Sequence, residues 1–581
     1  MKKLINPFYI AAFTGCLLMI PSCQDDFLEE QPPGTLAGDV ILTGTGVEAL
    51  LIGAYNSLFN NGSMFGGSTT MWEWGSISSD DAGFGAANAF HAVESYEMLP
   101  NNSYPAERWR ESYNGVMRCN DVLTFLWQTQ ETDNRIPEER ARTIEAEAKF
   151  LRAFHHFQLQ LVFFQIPYIK NPVEMDGRDP ATIPNDSEAW DGIEADLTYA
   201  MENLPEEMEE VGRANKFSAM AMKARAHLFQ QEFGEAKLLL DNIINSGRFR
   251  LVDNYYDNYM ATTENNEESI FEIQANVSAA AGGANTLPVG GMSFHQNGPA
   301  AKGWGAFQPT QNLFNAFQVD QDGLPILEVA ERENLANDMG VESSEEFHPT
   351  EHLLDPRVDW TIARRGIPFL GWGVHEGKSW IRSQNNGGPY MTKKYMHRKE
   401  NDGILTAQGG FKNARNFRAY RYAHVLLWRA EVAVEENDFE YARQLVNMVR
   451  ERAQGDFVMG RALTYIFDGR PIEVNWDQPA ANYKISAYPV GHVAFSSQDM
   501  ARKAVRLELR LEFATEGMRF FQLRRWGIDG EVLNDFIRED SQFRPFMRGT
   551  SYDPEVNDYW PLPQAQLDIQ TGVLDQDPAY R

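Results

Sequence analysis

Apolar residues recur at helical spacing along much of the chain. In residues 137–164, Ile144, Ala148, Leu151, Phe154, Phe157 and Leu161 stand three or four apart, and in 188–204 so do Ile193, Leu197, Ala200, Met201 and Leu204. A repeat near 3.6 residues places such positions on one face, so both segments are predicted amphipathic helices. Phe233, Ala236, Leu239 and Ile243 follow the same period, and Phe439, Ala442, Leu445 and Val449 repeat them class for class. In each copy an alanine, Ala224 or Ala430, stands nine residues before the phenylalanine, near the end of a preceding helical run. Each unit therefore reads as helix, tight turn and second helix, with turns at Gln231-Glu232-Phe233-Gly234 and Glu436-Asn437-Asp438. The alanines let paired helices approach closely, and the aliphatic positions fill the seam.

This spacing resembles the tetratricopeptide repeat, in which stacked helix pairs share one core. The two helices at 137–164 and 188–204 join the same stack. Between the two matching units the pattern changes: 279–291 is rich in Gly and Ala, while 298–309 and 366–389 mix glycine with Trp304, Trp372 and Trp380, with Tyr390 just beyond. Helical periodicity is absent over most of 274–413, and its frequent tryptophan argues against disorder. The fold expected is mainly α: a tetratricopeptide-like helix-pair scaffold over about 46–273 and 414–581, interrupted by a long irregular, loop-rich insertion over about 274–413 that carries the ligand site.

The N-terminus has the order of an export signal. Lys2 and Lys3 precede an apolar run over 10–20, and Met19-Ile20-Pro21-Ser22 leads to Cys23. The run is shorter than the roughly 20 residues that span a bilayer, so a cleaved signal peptide over 1–22 is expected. Ser22 before Cys23 resembles the lipobox of bacterial lipoproteins, which implies lipidation of Cys23 and a membrane attachment by lipid anchor only. Residues 23–45 then form a tether whose acidic start, Asp25, Asp26, Glu29 and Glu30, resembles the surface-export signal of Bacteroidota lipoproteins. That implies the extracellular face of the outer membrane. Cys16 leaves with the signal and Cys23 takes lipid, so Cys119 alone remains and a disulfide framework is excluded. The net charge of −30 argues against nucleic acid and anionic lipid as partners.

Three segments of the second half, taken in order, resemble the SusD/RagB family of outer-membrane lipoproteins. Residues 416–431 form an arginine-rich run, with Arg418, Arg421 and Arg429, ending in Ala430-Glu431. Residues 508–526 carry Glu508, Arg510, Glu512, Glu516, Gly517 and Arg519. Trp560-Pro561-Leu562-Pro563 is followed by Gln576-Asp577-Pro578-Ala579-Tyr580, where the family more often has Asn and Gly in place of Asp577 and Ala579. Weaker matches lie at 25–28, 148–167 and 309–323. The resemblance implies a single SusD-like domain over 46–581 that binds oligosaccharide, or in some branches peptide, and sits on a TonB-dependent SusC-type barrel transporter. It implies neither catalysis nor a cofactor.

A sugar site needs exposed aromatic planes beside a few amides or carboxylates. Two places offer them. An extended 71–81 would put Trp72 and Trp74 on one side, beside Asp80, Asp81 and Asn88, and the insertion offers Trp304, Phe307, Trp372, Trp380 and Tyr390. Of these, Trp72, Trp74, Asp80, Asp81, Trp304, Trp372 and Tyr390 are the expected ligand contacts. Trp109, Trp127, Trp190 and Trp428 fall within helical patterns and are expected in the core. Glu508, Arg510, Glu512, Glu516 and Arg519 have the spacing of structural ion pairs on a helix surface, and Gly517 lets a neighbouring backbone approach. No metal is expected: Asp320-Gln321-Asp322-Gly323 lacks the rest of a calcium loop and reads as a turn, and His155-His156 lacks an i, i+4 partner. Two alternatives stay open: a peptide ligand in the same uptake role, and a surface glycoside hydrolase, although no pair of carboxylates is singled out.

Overall fold

The computed structural model describes residues 41–59, 71–86, 90–277, 298–299, 305–394, 396–407 and 412–581. Helix α1 (Gly44–Asn56) starts after Thr43, whose hydroxyl accepts from the Gly46 amide at 3.1 Å and satisfies a free donor of the first turn. It lies on α2 (Ser103–Gln130). From there each helix packs on the next: α3 (Glu138–Val162), α4 (Trp190–Asn203), α5 (Lys216–Phe229) and α6 (Phe233–Asn245). The order then jumps the insertion, because α6 packs on α7 (Tyr422–Glu435), α7 on α8 (Phe439–Arg452), and α9 (Gln498–Phe513) on both.

The two units that match in sequence are therefore neighbours in space. Ala224, Ala236, Ala430 and Ala442 are all fully buried in the seams between them. The likeness extends to the backbone, since Gln231 and Asn437, each two residues before the repeated phenylalanine, both turn the chain with positive φ, 59° and 63°. The helical, tetratricopeptide-like reading of the fold is correct. Trp109 and Trp428 are core residues, while Trp127 and Trp190 pack half-buried against the core.

Strands come in pairs. Among the described residues β1 (Ala82–Phe84) pairs with β3 (Ala306–Pro309), β2 (Ser269–Ile273) with β8 (Phe417–Arg421), β4 (Ile362–Ala363) with β5 (Met391–Thr392), β6 (Thr406–Ala407) with β7 (Lys412–Asn413), and β9 (Met459–Ala462) with β10 (Val474–Pro479), all antiparallel. The β2–β8 pair closes the neck of the insertion where it leaves and rejoins the stack. The described part of the insertion is packed: Leu313, Phe314, Val358, Ile362 and Tyr390 share one apolar cluster with Leu507 and Leu511 of α9. Asp320 does form a turn, its carboxylate accepting from the amides of Asp322 at 2.8 Å and Leu324 at 2.9 Å.

The charged positions of α9 are not on a surface. Glu508, Arg510 and Glu512 are buried, because the insertion covers the face they occupy. Arg357 of the insertion reaches Asp355 at 2.7 Å, Glu508 at 2.7 Å and Glu512 at 2.9 Å. From the stack, Arg421 reaches Glu268 at 2.8 Å and Glu512 at 2.6 Å, Arg450 reaches Glu508 at 2.9 Å, and Arg452 also reaches Glu512. Lys394 joins Glu516 at 2.9 Å. Residues of the scaffold, the insertion and α9 thus meet in one water-excluded ionic network. Buried charges persist only when paired in this way.

Candidate functional site

The segment 71–86 is the platform on which the insertion's first described strand is laid. After β3, the Thr310 hydroxyl donates to the Asp80 carbonyl at 2.5 Å and accepts from the Leu313 amide at 3.0 Å, so one side chain both docks and caps the short helix Gln311–Ala316. That helix presents Gln311, Asn312 and Asn315 to a cleft of about 190 Å³. The facing wall comes from the end of α10 (Asp529–Asp540) and the turn after it, with Phe536, Glu539, Gln542 and Phe543, and Arg332 and Asn334 lie at the rim. A smaller hollow continues from it past Gln311 and Phe543 to Asn337 and Gly388.

Five carboxamides line this cleft: Gln311, Asn312, Asn315, Asn334 and Gln542. Phe536 is buried in the wall, whereas Phe543 remains 36% exposed. The amides are held in place by one another and by groups behind them. Gln311 donates to Asn315 at 2.9 Å and Asn315 to Asn334 at 3.2 Å, while Asn312 donates to Glu539 at 3.2 Å. An amide carries both a donor and an acceptor, which is what the hydroxyls of a sugar require; Gln311 spends all of its own on Asn315, the Leu335 carbonyl, Asn337 and Tyr390, so the other four amides are those with capacity left for a ligand.

The residues singled out in the sequence fall mostly behind this cleft. Tyr390 is buried and its hydroxyl donates to Gln311 at 2.7 Å. Asp81 accepts from Arg510 at 3.0 Å, and Arg510 in turn donates to Asn312 at 3.0 Å. Asp80 is held by Arg519 at 2.8 Å and by Arg510 at 3.0 Å. Burial works to raise the Asp80 pKa, but the two guanidinium groups outweigh it and bring it to about 2. Asp81 is pushed up by burial, Arg510 opposing and the Asp80 charge adding to it. Burial also raises the Tyr390 phenol well above its ordinary value. Asp80, Asp81 and Tyr390 therefore present no group to a ligand directly.

Nor do the first two tryptophans. Residues 73–77 form a turn of π-helix instead of a strand, so Trp72 and Trp74 leave in different directions. Trp72 is 2% exposed and meets Phe307 edge-on at 5.2 Å, and Trp74 is fully buried against Trp560 at 5.2 Å. Trp380 is buried as well. Trp372 is half-exposed away from the cleft, its indole N–H donating to the His397 carbonyl at 3.1 Å. Trp304, Asn88 and Cys23 lie outside the described residues. The cleft amides carry no signature of their own in the sequence. The signal that could have found Gln311, Asn312 and Asn315 is the resemblance over 309–323, which contains all three.

One group of described residues has the dimensions to hold a metal ion: Glu194 of α4 with His227 and Glu232 at the α5–α6 turn. Its closest pair, His227 Nδ1 and Glu232 Oε2 at 2.6 Å, is already satisfied as a hydrogen bond. No described helix is long and apolar enough to cross a membrane.

Comparison with known proteins agrees with this architecture. The model of the SusD family matches residues 267–580, and a second model, described as starch-binding associating with outer membrane, matches residues 26–228. The SusD-like protein P2 of Formosa agariphila is 23% identical over 587 residues, spanning 98% of this chain and 99% of that one. A SusD-like protein from Bacteroides fragilis superposes with a TM-score of 0.69 at 20% identity, over 94% of this chain and 99% of the other. Surface glycan-binding protein A from Bacteroides thetaiotaomicron, solved with laminarihexaose, does so with a TM-score of 0.64 at 19% identity, over 92% and 99%. With more than half of its length matched by the family's own model, and the fold shared over 94% of the chain, this chain belongs to the SusD family.

Proposed function

We propose that this protein captures oligosaccharide at the cell surface in the amide-lined cleft and passes it to a TonB-dependent SusC-type outer-membrane transporter, without cleaving it. The observation that carries the reading is the cleft itself: five carboxamides around the one open ring of Phe543. A sugar offers an apolar C–H face and a rim of hydroxyls, and the cleft offers the counterpart of each. A relative of the same fold holds laminarihexaose, which supports glycan over peptide. Trp304 keeps its place as a proposed aromatic contact, because it directly precedes Gly305 and β3. Asp80, Asp81 and Tyr390 serve the site from behind by orienting Asn312 and Gln311.

Hydrolysis is disfavoured by the same geometry. Glycoside cleavage takes two carboxylates on opposite sides of the bond. The two in this cleft, Glu539 and Asp540, are consecutive on one helix, and each is engaged, Glu539 by Asn312 and Asp540 by Arg544 at 2.6 Å.

Isothermal titration against a panel of oligosaccharides and peptides tests the site. Phe543→Ala and Asn312→Ala should each weaken glycan binding about tenfold, equivalent to about 1.4 kcal/mol, with little change in melting temperature. A wild-type chain that binds peptides and no glycan refutes the reading. The anchor and partner are read from Cys23 and the family. Native protein extracted from outer membranes should carry labelled palmitate, lost in Cys23→Ser, and bring a TonB-dependent barrel with it; recovery unlabelled and alone is the contrary result.

A further inference from the structure

Trp476 is 60% exposed, whereas every other tryptophan among the described residues is buried or half-buried. Tryptophan is highly buried on average, so what singles this ring out is the local backbone that holds it in the open. The backbone around it is arranged to keep it there. In the β9–β10 pair, Asn475 stands opposite Arg461 and Pro479 opposite Met459, so the single residue Gly460 faces three, Trp476, Asp477 and Gln478. A bulge of this kind forces the surplus residues out of the sheet. Gly460 has φ of 111°, a conformation that disfavours any side chain, and a Cβ there would stand 2.7 Å from two carbon atoms of the indole and 2.9 Å from Pro368. The ring thus rests on bare backbone beside Pro368. Asp477 and Gln478, both exposed, follow directly, and neither side chain has a hydrogen-bond or ion-pair partner among the described residues.

We infer that the bulged β9–β10 hairpin is a second glycan-binding platform, in which Trp476 stacks on the apolar face of a sugar ring and Asp477 and Gln478 bond its hydroxyls. This rests on the glycan reading of the protein and adds a site built from none of the cleft residues. One open ring with free polar groups beside it suits a single sugar unit, whereas a protein hot spot is a ring enclosed by other apolar contacts. Two separate sites on one chain hold a polymer by avidity while each binds a short oligosaccharide weakly.

Native affinity electrophoresis through gels containing laminarin or starch tests this on the full chain. The probes are the polysaccharides themselves, and Trp476→Ala, being a surface change, leaves folding intact as checked by melting. Trp476→Ala should raise the apparent Kd for a retarding polysaccharide about tenfold, and the Phe543→Ala/Trp476→Ala double variant should abolish retardation. Trp476→Phe should recover part of the loss. If Trp476→Ala migrates as wild type in every gel that retards wild type, the platform is refuted while the cleft stands. If Phe543→Ala migrates as wild type and Trp476→Ala does not, the platform stands and the cleft reading fails. A wild-type chain retarded by neither polysaccharide, with no partner glycan in the titration panel, overturns both.

Discussion

Glu512→Ala is expected to lower the stability of the protein by about 3–5 kcal/mol, since it removes the carboxylate shared by three buried cations and leaves Asp355, Glu508, Glu268 and Glu516 to balance them alone. Glu512 is fully buried and receives Arg357 at 2.9 Å, Arg421 at 2.6 Å and Arg452 from three different parts of the chain. Truncation removes the one group that neutralises all three together. An unfolding entropy of about 2.1 cal/mol/K per residue converts the loss into a melting temperature roughly 3–4 °C lower at pH 7 by calorimetry. The effect should depend on pH in a definite sense. Burial acts to raise the Glu512 pKa, but the guanidinium groups of Arg452, Arg421 and Arg357 carry it well below its ordinary 4.5. Its contribution is therefore complete above the unfolded value and is lost as pH falls through the folded one. Wild type should weaken on acidification below about pH 4.5 more steeply than the variant. Equal melting temperatures for wild type and variant at pH 7 would show that the network contributes nothing to stability.

Gly75→Ala should be the second severe change. An added Cβ would stand 1.9 Å from the carbonyl oxygen of Gly517 and 2.4 Å from its carbonyl carbon, and backbone cannot swing away as a side chain can. Gly517 is itself fixed, with φ of 80° and its amide donating to the Ser76 hydroxyl at 3.0 Å. Overpacking against such a pair costs about 1–3 kcal/mol or more. The displaced segment also carries Asp80 and Asp81, so glycan affinity should fall along with the denaturation midpoint. Gly234→Ala supplies the contrast, because a Cβ on that helical residue meets nothing within 4 Å. It should be neutral or stabilising by roughly 0.5–1 kcal/mol, as expected for alanine over glycine in a helix.

The close approach at Gly517 was legible in the sequence, but its partner was not. Gly75 lies far away in the chain, and nothing local to either residue names the other. The same division runs through the site. The amides at 311–315 and the ring of Phe543 come from distant segments, and their meeting depends on β1 pairing with β3 and on α10 packing against the short helix between them. Trp72 and Trp74 show the converse failure. Their spacing places two rings on one side only if the backbone is extended, and a π-helical turn sends them to separate partners in the core.

What the sequence determined by itself was the helical repeat. Ala224 and Ala430, with the phenylalanine and aliphatic positions that follow, specify two helix pairs through contacts between near neighbours in the chain, and periodicity is enough to read such contacts. What only the tertiary structure decided was which faces of those helices are covered. Glu508, Arg510 and Glu512 have the spacing of a solvated face, and they are buried because the insertion folds back over α9. The placement of long-range partners also moved the proposed ligand contacts from the buried aromatics to amides with no pattern of their own. Spacing along a helix fixes which side chains share a face, and only packing fixes whether water, protein or ligand lies against it.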